Sequence, residues 1–159
     1  MAGFSIPEDR TFIIVPYDGV GPDYPFSGEK LSAVMAFYKV TDINEAVALT
    51  NAIQEYQGMG HSCGIYSTSD DNIITLASGT KTSRVMVNQP QAPSNSGNLW
   101  NGMRQTFSLG CGSWGGNSTN ENINWKHLVN ITWVSKPLAQ AKTLPSDEDL
   151  FGAVIAKLG

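Results

Sequence analysis

A histidine and a cysteine two positions apart are the first residues whose types and spacing could do chemistry. His61 and Cys63 stand at the start of an apolar segment, residues 62–67, and alternate residues of a strand face the same side. A histidine beside a thiol can lower the thiol pKa and create a nucleophile. Any alternating strand makes such pairs, however, and free cysteines are among the most buried residues. A structural thiol is therefore the favoured interpretation of Cys63, and His61 is left open between lining a site and satisfying backbone groups.

The second cysteine, Cys111, lies in the glycine-rich segment 109–117. Gly110, Gly112 and Gly115 have the GxGxxG spacing of dinucleotide-binding loops, but that motif needs a helix after it, and polar residues follow here. No Lys-Ser/Thr pair stands at the spacing of a phosphate-binding loop either. We predict a turn-rich loop whose glycines permit sharp turns or a close approach to a ligand.

Carboxylates and metal ligands give weaker signals. The two histidines and two cysteines are too dispersed for the usual zinc spacings, so no metal site is predicted. Glu29 stands in a Pro/Gly loop just before an apolar segment, and α/β proteins place binding residues on such loops. A carboxylate there can accept two hydroxyls, as from a ribose, or simply be solvated.

The elements that would position these residues alternate between strand and helix. Asp42 and Glu45 have the spacing of an N-cap and a capping box. Asp70 or Asp71 is the candidate cap of a short second helix that runs through Ala77 and is ended by Gly79. This alternation predicts a parallel α/β sheet. The predicted strands are 11–16, 32–40, 62–67 and 84–89, and the first helix is 42–57.

The alternation stops after residue 91. Residues 92–126 are rich in Ser, Asn and Gly but contain four aromatic side chains, which is untypical of disorder. We predict a long ordered loop that packs against a site or a partner. Residues 127–136 read as a strand that is apolar on both faces, hence an arm that adds to another sheet. Ser146 and the acids after it predict a final helix.

Composition limits the function classes. The 159 residues allow one domain, and the net charge of −4 argues against a nucleic-acid surface. Charged residues make up only 15%, against about 25% in an average domain, so we expect much of the surface to be covered by another part of a larger assembly. The sequence shows no membrane-spanning run and no secretory signal, and with two cysteines a cytoplasmic location is the default.

Several segments come in the order and spacing of a known family. They are 29–32 (EKLS), 58–62 (GMGHS), 81–88 (KTSRVMVN), 109–118 (LGCGSWGGNS), Asn122 and 126–130 (KHLVN). Together they resemble the CoA-acylating aldehyde dehydrogenases, including the aldehyde dehydrogenase half of aldehyde-alcohol dehydrogenases and the acylating sulfoacetaldehyde dehydrogenases. The resemblance spans residues 2 to about 134. It implies an α/β fold: part of the catalytic domain, a parallel-type sheet with flanking helices, over 1–126, then a β-strand oligomerisation arm and a short C-terminal helix over 127–159.

The resemblance also implies a reaction. The family oxidises an aldehyde to an acyl-CoA with NAD or NADP through a cysteine nucleophile, with coenzyme A as co-substrate. The family's nucleophile and nearly all of its nucleotide-binding domain match segments upstream of this chain, and neither cysteine here aligns with the nucleophile. We therefore expect no turnover by the chain alone. We expect it to associate with the missing N-terminal half or with homologous subunits, forming a homo-oligomer through strand 127–134.

Roles carry over to a few positions as implications of the resemblance. Glu29 matches the ligand of the nicotinamide ribose hydroxyls, Leu31 lies near the nicotinamide ring, and His61 faces the active site. Gly112, Ser113 and Trp114 belong to the loop near the substrate entrance. Arg84 matches a structural position. For a sulfonated aldehyde, Arg104 is the first guanidinium to consider, because this group pairs bidentately with such oxyanions.

Two other functions stay open at this stage. One is a thiol-dependent acyl transferase or hydrolase that uses Cys63 with His61. The other is a non-catalytic subunit that docks on a full-length homologue through strand 127–134.

Overall fold

The computed structural model describes residues 7–140 and 142–158. The chain divides after Leu128 into two compact units. The first unit holds the alternating strands and helices together with the long loop, and the second holds the segment after residue 128 and the last helix.

All four predicted strands are present, each shorter than its apolar segment. Strand β1 (Ile13–Pro16) runs parallel to β2 (Val34–Phe37), and β3 (Cys63–Ile65) runs parallel to β4 (Val85–Val87). The prediction of parallel pairing is confirmed. The strands form two separate two-stranded sheets, because no ladder joins β2 to β3 in the described part of the chain.

Local capping chemistry starts the two helices that connect these strands. Helix α1 (Ile43–Tyr56) begins as predicted at Asp42, whose carboxylate accepts the N–H groups of Asn44 and Glu45 at 2.8 and 2.9 Å. The Glu45 carboxylate reaches back one residue further than a capping box does and accepts the N–H of Thr41 at 2.7 Å.

Helix α2 corrects one predicted boundary. It spans Asp70–Gly79, and its cap is Ser69 instead of Asp70 or Asp71. The Ser69 hydroxyl accepts the Asn72 N–H at 3.3 Å, so the two aspartates fall in the first helical turn, where the helix dipole favours acids. The helix runs through Ala77 and ends at Gly79, as predicted.

The long loop after β4 is built from short ordered pieces. It starts with helix α3 (Gln91–Asn95) and contains 3₁₀ turns at Ser113–Gly115 and Trp125–His127. Leu109, the first residue of the glycine-rich segment, forms an antiparallel bridge with Asn122, five residues beyond the end of that segment.

The strand predicted over 127–136 is wrong for the single chain. Residues 125–127 form a 3₁₀ turn, and the described residues from 129 to 140 form no strand or helix. An alternating pattern encodes side-chain faces, but a strand persists only where a partner takes its backbone hydrogen bonds. Trp133 is 89% exposed. The last helix, α4 (Asp147–Leu158), begins as predicted: Ser146 and Asp149 each accept the other's backbone N–H.

The described residues bury few apolar side chains. Leu76 and Met86 are the buried hydrophobic residues among them, whereas Arg84, Asn95 and Asn122 are buried polar ones. Large apolar residues are exposed on β1, on β2 and after residue 127, as the low charge fraction leads one to expect. No helix in the described part of the chain is long and apolar enough to cross a membrane.

Candidate functional site

A cavity of about 660 Å³ lies in the first unit and is lined by residues from both sheets. Strand β2 contributes Val34 to Ala36, and strand β3 contributes Cys63. Helix α1 and the start of α3 supply further walls. The cavity brings together three residues singled out from the sequence, namely Glu29, His61 and Cys63. Leu31, Arg104 and the segment 112–114 do not line it.

Glu29 is held through its backbone, which leaves its carboxylate exposed. Its N–H donates to Oε1 of Gln57, the residue that ends α1, at 2.7 Å. The neighbouring Lys30 ammonium donates to the carbonyls of Phe26 and Gly28 at 2.6 and 2.8 Å. The loop before β2 is thereby fixed to α1. Leu31 follows with a positive φ of 38° and is 92% exposed.

His61 has a defined backbone and a polar neighbour. Its N–H donates to the Gly58 carbonyl at 3.1 Å, and its own carbonyl accepts from Nη1 of Arg84 at 3.1 Å. Ring atom Nδ1 lies 2.8 Å from the hydroxyl of Ser62, and Nε2 of Gln91 donates to that same hydroxyl. Sequence reasoning missed Ser62 and Gln91, since a single serine or glutamine carries no local signal of such a contact.

The Cys63 thiol has different neighbours from those that a nucleophile requires. Its Sγ lies 3.7 Å from the hydroxyl of Thr82 and 3.9 Å from that of Thr80. No hydrogen bond joins Cys63 to His61 among the residues that the structure describes, since His61 Nδ1 pairs with Ser62. The half-buried thiol and the imidazole share the cavity without forming a nucleophile–base pair.

The glycine-rich loop packs directly on the turn that carries His61. A Cβ atom added at Gly60, where φ is +82°, would lie 2.2 Å from the carbonyl oxygen of Cys111. A Cβ atom at Gly115 would lie 2.9 Å from the carbonyl oxygen of Met59. Only residues without a Cβ allow the two backbones to approach this closely. Gly112, Ser113 and Trp114 belong to this loop and do not line the cavity.

Arg84 joins the loop to the turn. It is 5% exposed and donates from Nε to Asn122 Oδ1 at 2.8 Å, from Nη2 to the Gly110 carbonyl at 2.6 Å, and from Nη1 to the His61 carbonyl. Asn122 in turn donates to the carbonyls of Asn95 and Arg104. Burial lowers the pKa of Arg84, but a guanidinium stays charged in proteins. Its interpretation as a structural residue agrees with these contacts.

Arg104 lies at a different, smaller cavity. That cavity, of about 230 Å³, is also lined by Glu121. The Arg104 side chain is exposed, and its charge contributes to lowering the pKa of Glu121, after the larger effect of a hydrogen bond from Lys126. A carboxylate in the same cavity disfavours a second anion there. No group of three His, Cys, Asp or Glu side chains in the described residues is placed to hold a metal ion.

Sequence comparisons relate the chain to known enzymes. None of the protein-family models compared with the sequence matches it. A sulfoacetaldehyde dehydrogenase from Acholeplasma sp is 43% identical over 152 residues, which are 95% of this chain and 31% of that protein. An acetylating succinate-semialdehyde dehydrogenase from Clostridium kluyveri is 37% identical over 152 residues, 96% of this chain and 33% of that protein.

Comparison with solved structures points to the same class of enzyme as the sequence comparisons. An acetylating aldehyde dehydrogenase from Geobacillus thermoglucosidasius superposes with a TM-score of 0.81 at 33% identity, over 91% of this chain and 32% of that one. The chain spans about a third of the length of these relatives. It is homologous to the C-terminal portion of the acylating aldehyde dehydrogenases.

Proposed function

We propose that this chain is the C-terminal part of the catalytic domain of an acylating aldehyde dehydrogenase. The complete enzyme would oxidise an aldehyde to an acyl-CoA with NAD or NADP, through a cysteine supplied by the rest of the enzyme. The observation that carries the proposal is the 43% identity over 95% of the chain, together with a cavity that gathers Glu29 and His61. The cofactor would accept the hydride, and CoA would take the acyl group.

Glu29 fits the role of cofactor ligand. Its carboxylate is exposed at a cavity of about 660 Å³, and its loop is fixed by the hydrogen bond to Gln57. An ionised carboxylate offers two acceptor oxygens, which suit the paired hydroxyls of a ribose. Leu31, on the same loop, would lie near the nicotinamide ring.

The partner that we propose for the cavity is the missing N-terminal half of the enzyme. Among the described residues, strands β2 and β3 each have a partner on one edge only, and both strands line the cavity. An unpaired strand edge offers backbone groups to another chain segment. We expect a segment that pairs here to bring the cysteine nucleophile beside His61. Without that cysteine, this chain alone would not catalyse the reaction.

A second partner surface is the arm at 127–134. Its apolar side chains are exposed, including Leu128, Ile131 and Trp133, and the described residues offer it no strand partner. Contiguous exposed apolar residues mark interaction surfaces. We propose that the arm forms its strand on the sheet of a homologous subunit and so makes a homo-oligomer. The location that we propose for this oligomer is the cytoplasm.

The substrate that we propose is a sulfonated aldehyde, after the relative with 43% identity. Arg104 is the first guanidinium to test, although Glu121 beside it opposes an anion. The entrance loop with Gly112, Ser113 and Trp114 would shape access.

The test is a chimera in which this chain replaces the homologous segment of the Acholeplasma enzyme. We expect CoA-dependent reduction of NAD or NADP with sulfoacetaldehyde, and full retention of turnover in Cys63→Ala. Glu29→Ala should raise the KM for the cofactor about 10- to 100-fold, the effect of losing a charged hydrogen-bond partner. The exposed Glu148→Ala in α4 is the matched control.

Each outcome of this experiment has a defined meaning. A soluble chimera without turnover would contradict the proposal. A Cys63→Ala chimera that loses all activity would instead favour the thiol-dependent alternative. An Arg104→Ala chimera with an unchanged KM for sulfoacetaldehyde would remove Arg104 from the substrate site.

A further inference from the structure

Three polar side chains form a connected chain at the wall of the main cavity. Gln91 Nε2 donates to the Ser62 hydroxyl, and the same hydroxyl lies 2.8 Å from Nδ1 of His61. All three residues line the cavity. We propose that Gln91 and Ser62 are positioning residues that fix neutral His61 in the tautomer with its proton on Nε2.

The direction of the hydrogen bonds follows from the number of protons. A serine hydroxyl has one proton to donate. An amide nitrogen has only protons to offer, so Ser62 Oγ must accept from Gln91 and keeps its own O–H for another acceptor. The acceptor within reach is Nδ1 of His61. A ring nitrogen that accepts a hydrogen bond cannot carry a proton, so the proton of the neutral ring lies on Nε2.

The surrounding backbone holds the hydrogen-bonded side chains of Gln91, Ser62 and His61 in place. The His61 carbonyl is fixed by Arg84 and its N–H by Gly58. Gln91 is the first residue of α3, and the side chain of Asn95 donates to its carbonyl at 3.3 Å. Gly64 of β3 lies beside the Gln91 side chain, since a Cβ atom added there would be in ordinary van der Waals contact with Cβ of Gln91 at 3.4 Å.

The consequence for the active site rests on the proposed function. Nε2 of His61 has no hydrogen-bond partner among residues 7–140 and 142–158, and it would present an N–H to the cavity. His61 would then donate a hydrogen bond to an aldehyde or acyl oxygen instead of accepting a proton as a base.

The tautomer can be measured on this chain directly. The sequence has two histidines, so a long-range ¹H–¹⁵N correlation spectrum of the imidazole rings is simple to assign. At about pH 8.5, where imidazoles are neutral, we expect the Nε2–H pattern for His61. Solvated imidazole also favours this form, so the decisive variant is Gln91→Glu. A carboxylate only accepts, would take the Ser62 O–H, and should switch His61 to the Nδ1–H form.

His127 is the internal control, because its ring contacts Asn124 and Glu121 and not the cavity. Its signals should stay unchanged in Gln91→Glu. If the His127 signals move in Gln91→Glu, Ser62→Ala is used as the test variant instead. Loss of the hydroxyl should shift the His61 tautomer ratio about two- to tenfold toward Nδ1–H.

Two results would overturn the proposal. One is an Nδ1–H pattern for His61 in the unmodified chain. The other is a His61 tautomer ratio that does not change in Gln91→Glu or, where the His127 signals move in that variant, in Ser62→Ala. Because the readout needs no turnover, a failure here is distinct from an inactive chimera, which would count against the proposed function alone.

Discussion

Replacing Arg84 by methionine should release the loop 109–123 from the turn that carries His61. Methionine keeps the length and the apolar stem of the side chain but removes every donor. Three short hydrogen bonds are lost, to Asn122 Oδ1, the Gly110 carbonyl and the His61 carbonyl. The Asn122 amide is held by its own donations to the carbonyls of Asn95 and Arg104, so its Oδ1 cannot turn toward a new donor.

The size of the effect follows from these contacts. A hydrogen bond with a charged partner contributes about 1.5–3 kcal/mol, and three of them give an upper range of about 5–9 kcal/mol. Water can solvate the two carbonyls once the guanidinium is gone, which reduces the loss. We expect about 3 kcal/mol, equivalent to roughly a 100-fold change in the opening equilibrium.

Amide hydrogen exchange measures this opening locally. The N–H groups of Gly110, Gly112 and Ile123 donate to carbonyls across the loop at 2.9–3.0 Å, and their exchange should accelerate about 100-fold in Arg84→Met. Arg104→Met is the matched control: the same substitution on an exposed side chain nearby should leave these amides within about threefold. An acceleration below about fivefold in Arg84→Met, or an equal one in the control, would refute the reasoning.

Two further predictions concern the same region. In urea unfolding, Gly60→Ala should lower the free energy of unfolding by at least about 2 kcal/mol more than Gly116→Ala does. Both glycines have a positive φ, but only a Cβ atom at Gly60 would lie 2.2 Å from a backbone oxygen. Equal losses of stability would contradict the packing of the loop on the turn. The hydrogen bond from Lys126, with the charges of Lys126, His127 and Arg104, lowers the pKa of Glu121. This contact is therefore fully present above the ordinary carboxylate pKa and is lost as the pH falls through the lowered value. The fluorescence of the neighbouring Trp125 should change in that acid range, and a change of the same size in Glu121→Gln would show that another group is responsible.

Features set by neighbouring residues could be predicted from the sequence. The start of α1 at Asp42 and the start of α4 at Ser146 depend on side chains within three positions of the helix. The cap of α2 was predicted at the wrong residue, because Ser69, Asp70 and Asp71 are consecutive and each offers a side-chain oxygen that can cap a helix.

Individual side-chain contacts between distant residues could not be predicted, although the parallel pairing of the strands could. Arg84 gains its role from Gly110 and Asn122, which lie 26 and 38 positions away. Residues 127–136 have the alternation of a strand, but the described residues form no strand there, because alternation alone does not supply the ladder partner that a strand needs. Likewise, the Ser62 neighbour of His61 is adjacent in sequence, yet its significance arises only because α3 brings Gln91 onto it.

The scarcity of buried apolar side chains has a thermodynamic consequence. Leu76 and Met86 form the buried apolar core of the described residues, while Arg84 and Asn122 tie the loop together through polar groups. Exposing apolar surface raises the heat capacity and exposing polar surface lowers it. Unfolding of this chain should therefore carry a heat-capacity increment per residue below the usual ~12–15 cal/mol/K. Further heat-capacity change would then accompany the association of this chain with the rest of the proposed enzyme, when the exposed faces of β1, β2 and the arm leave water.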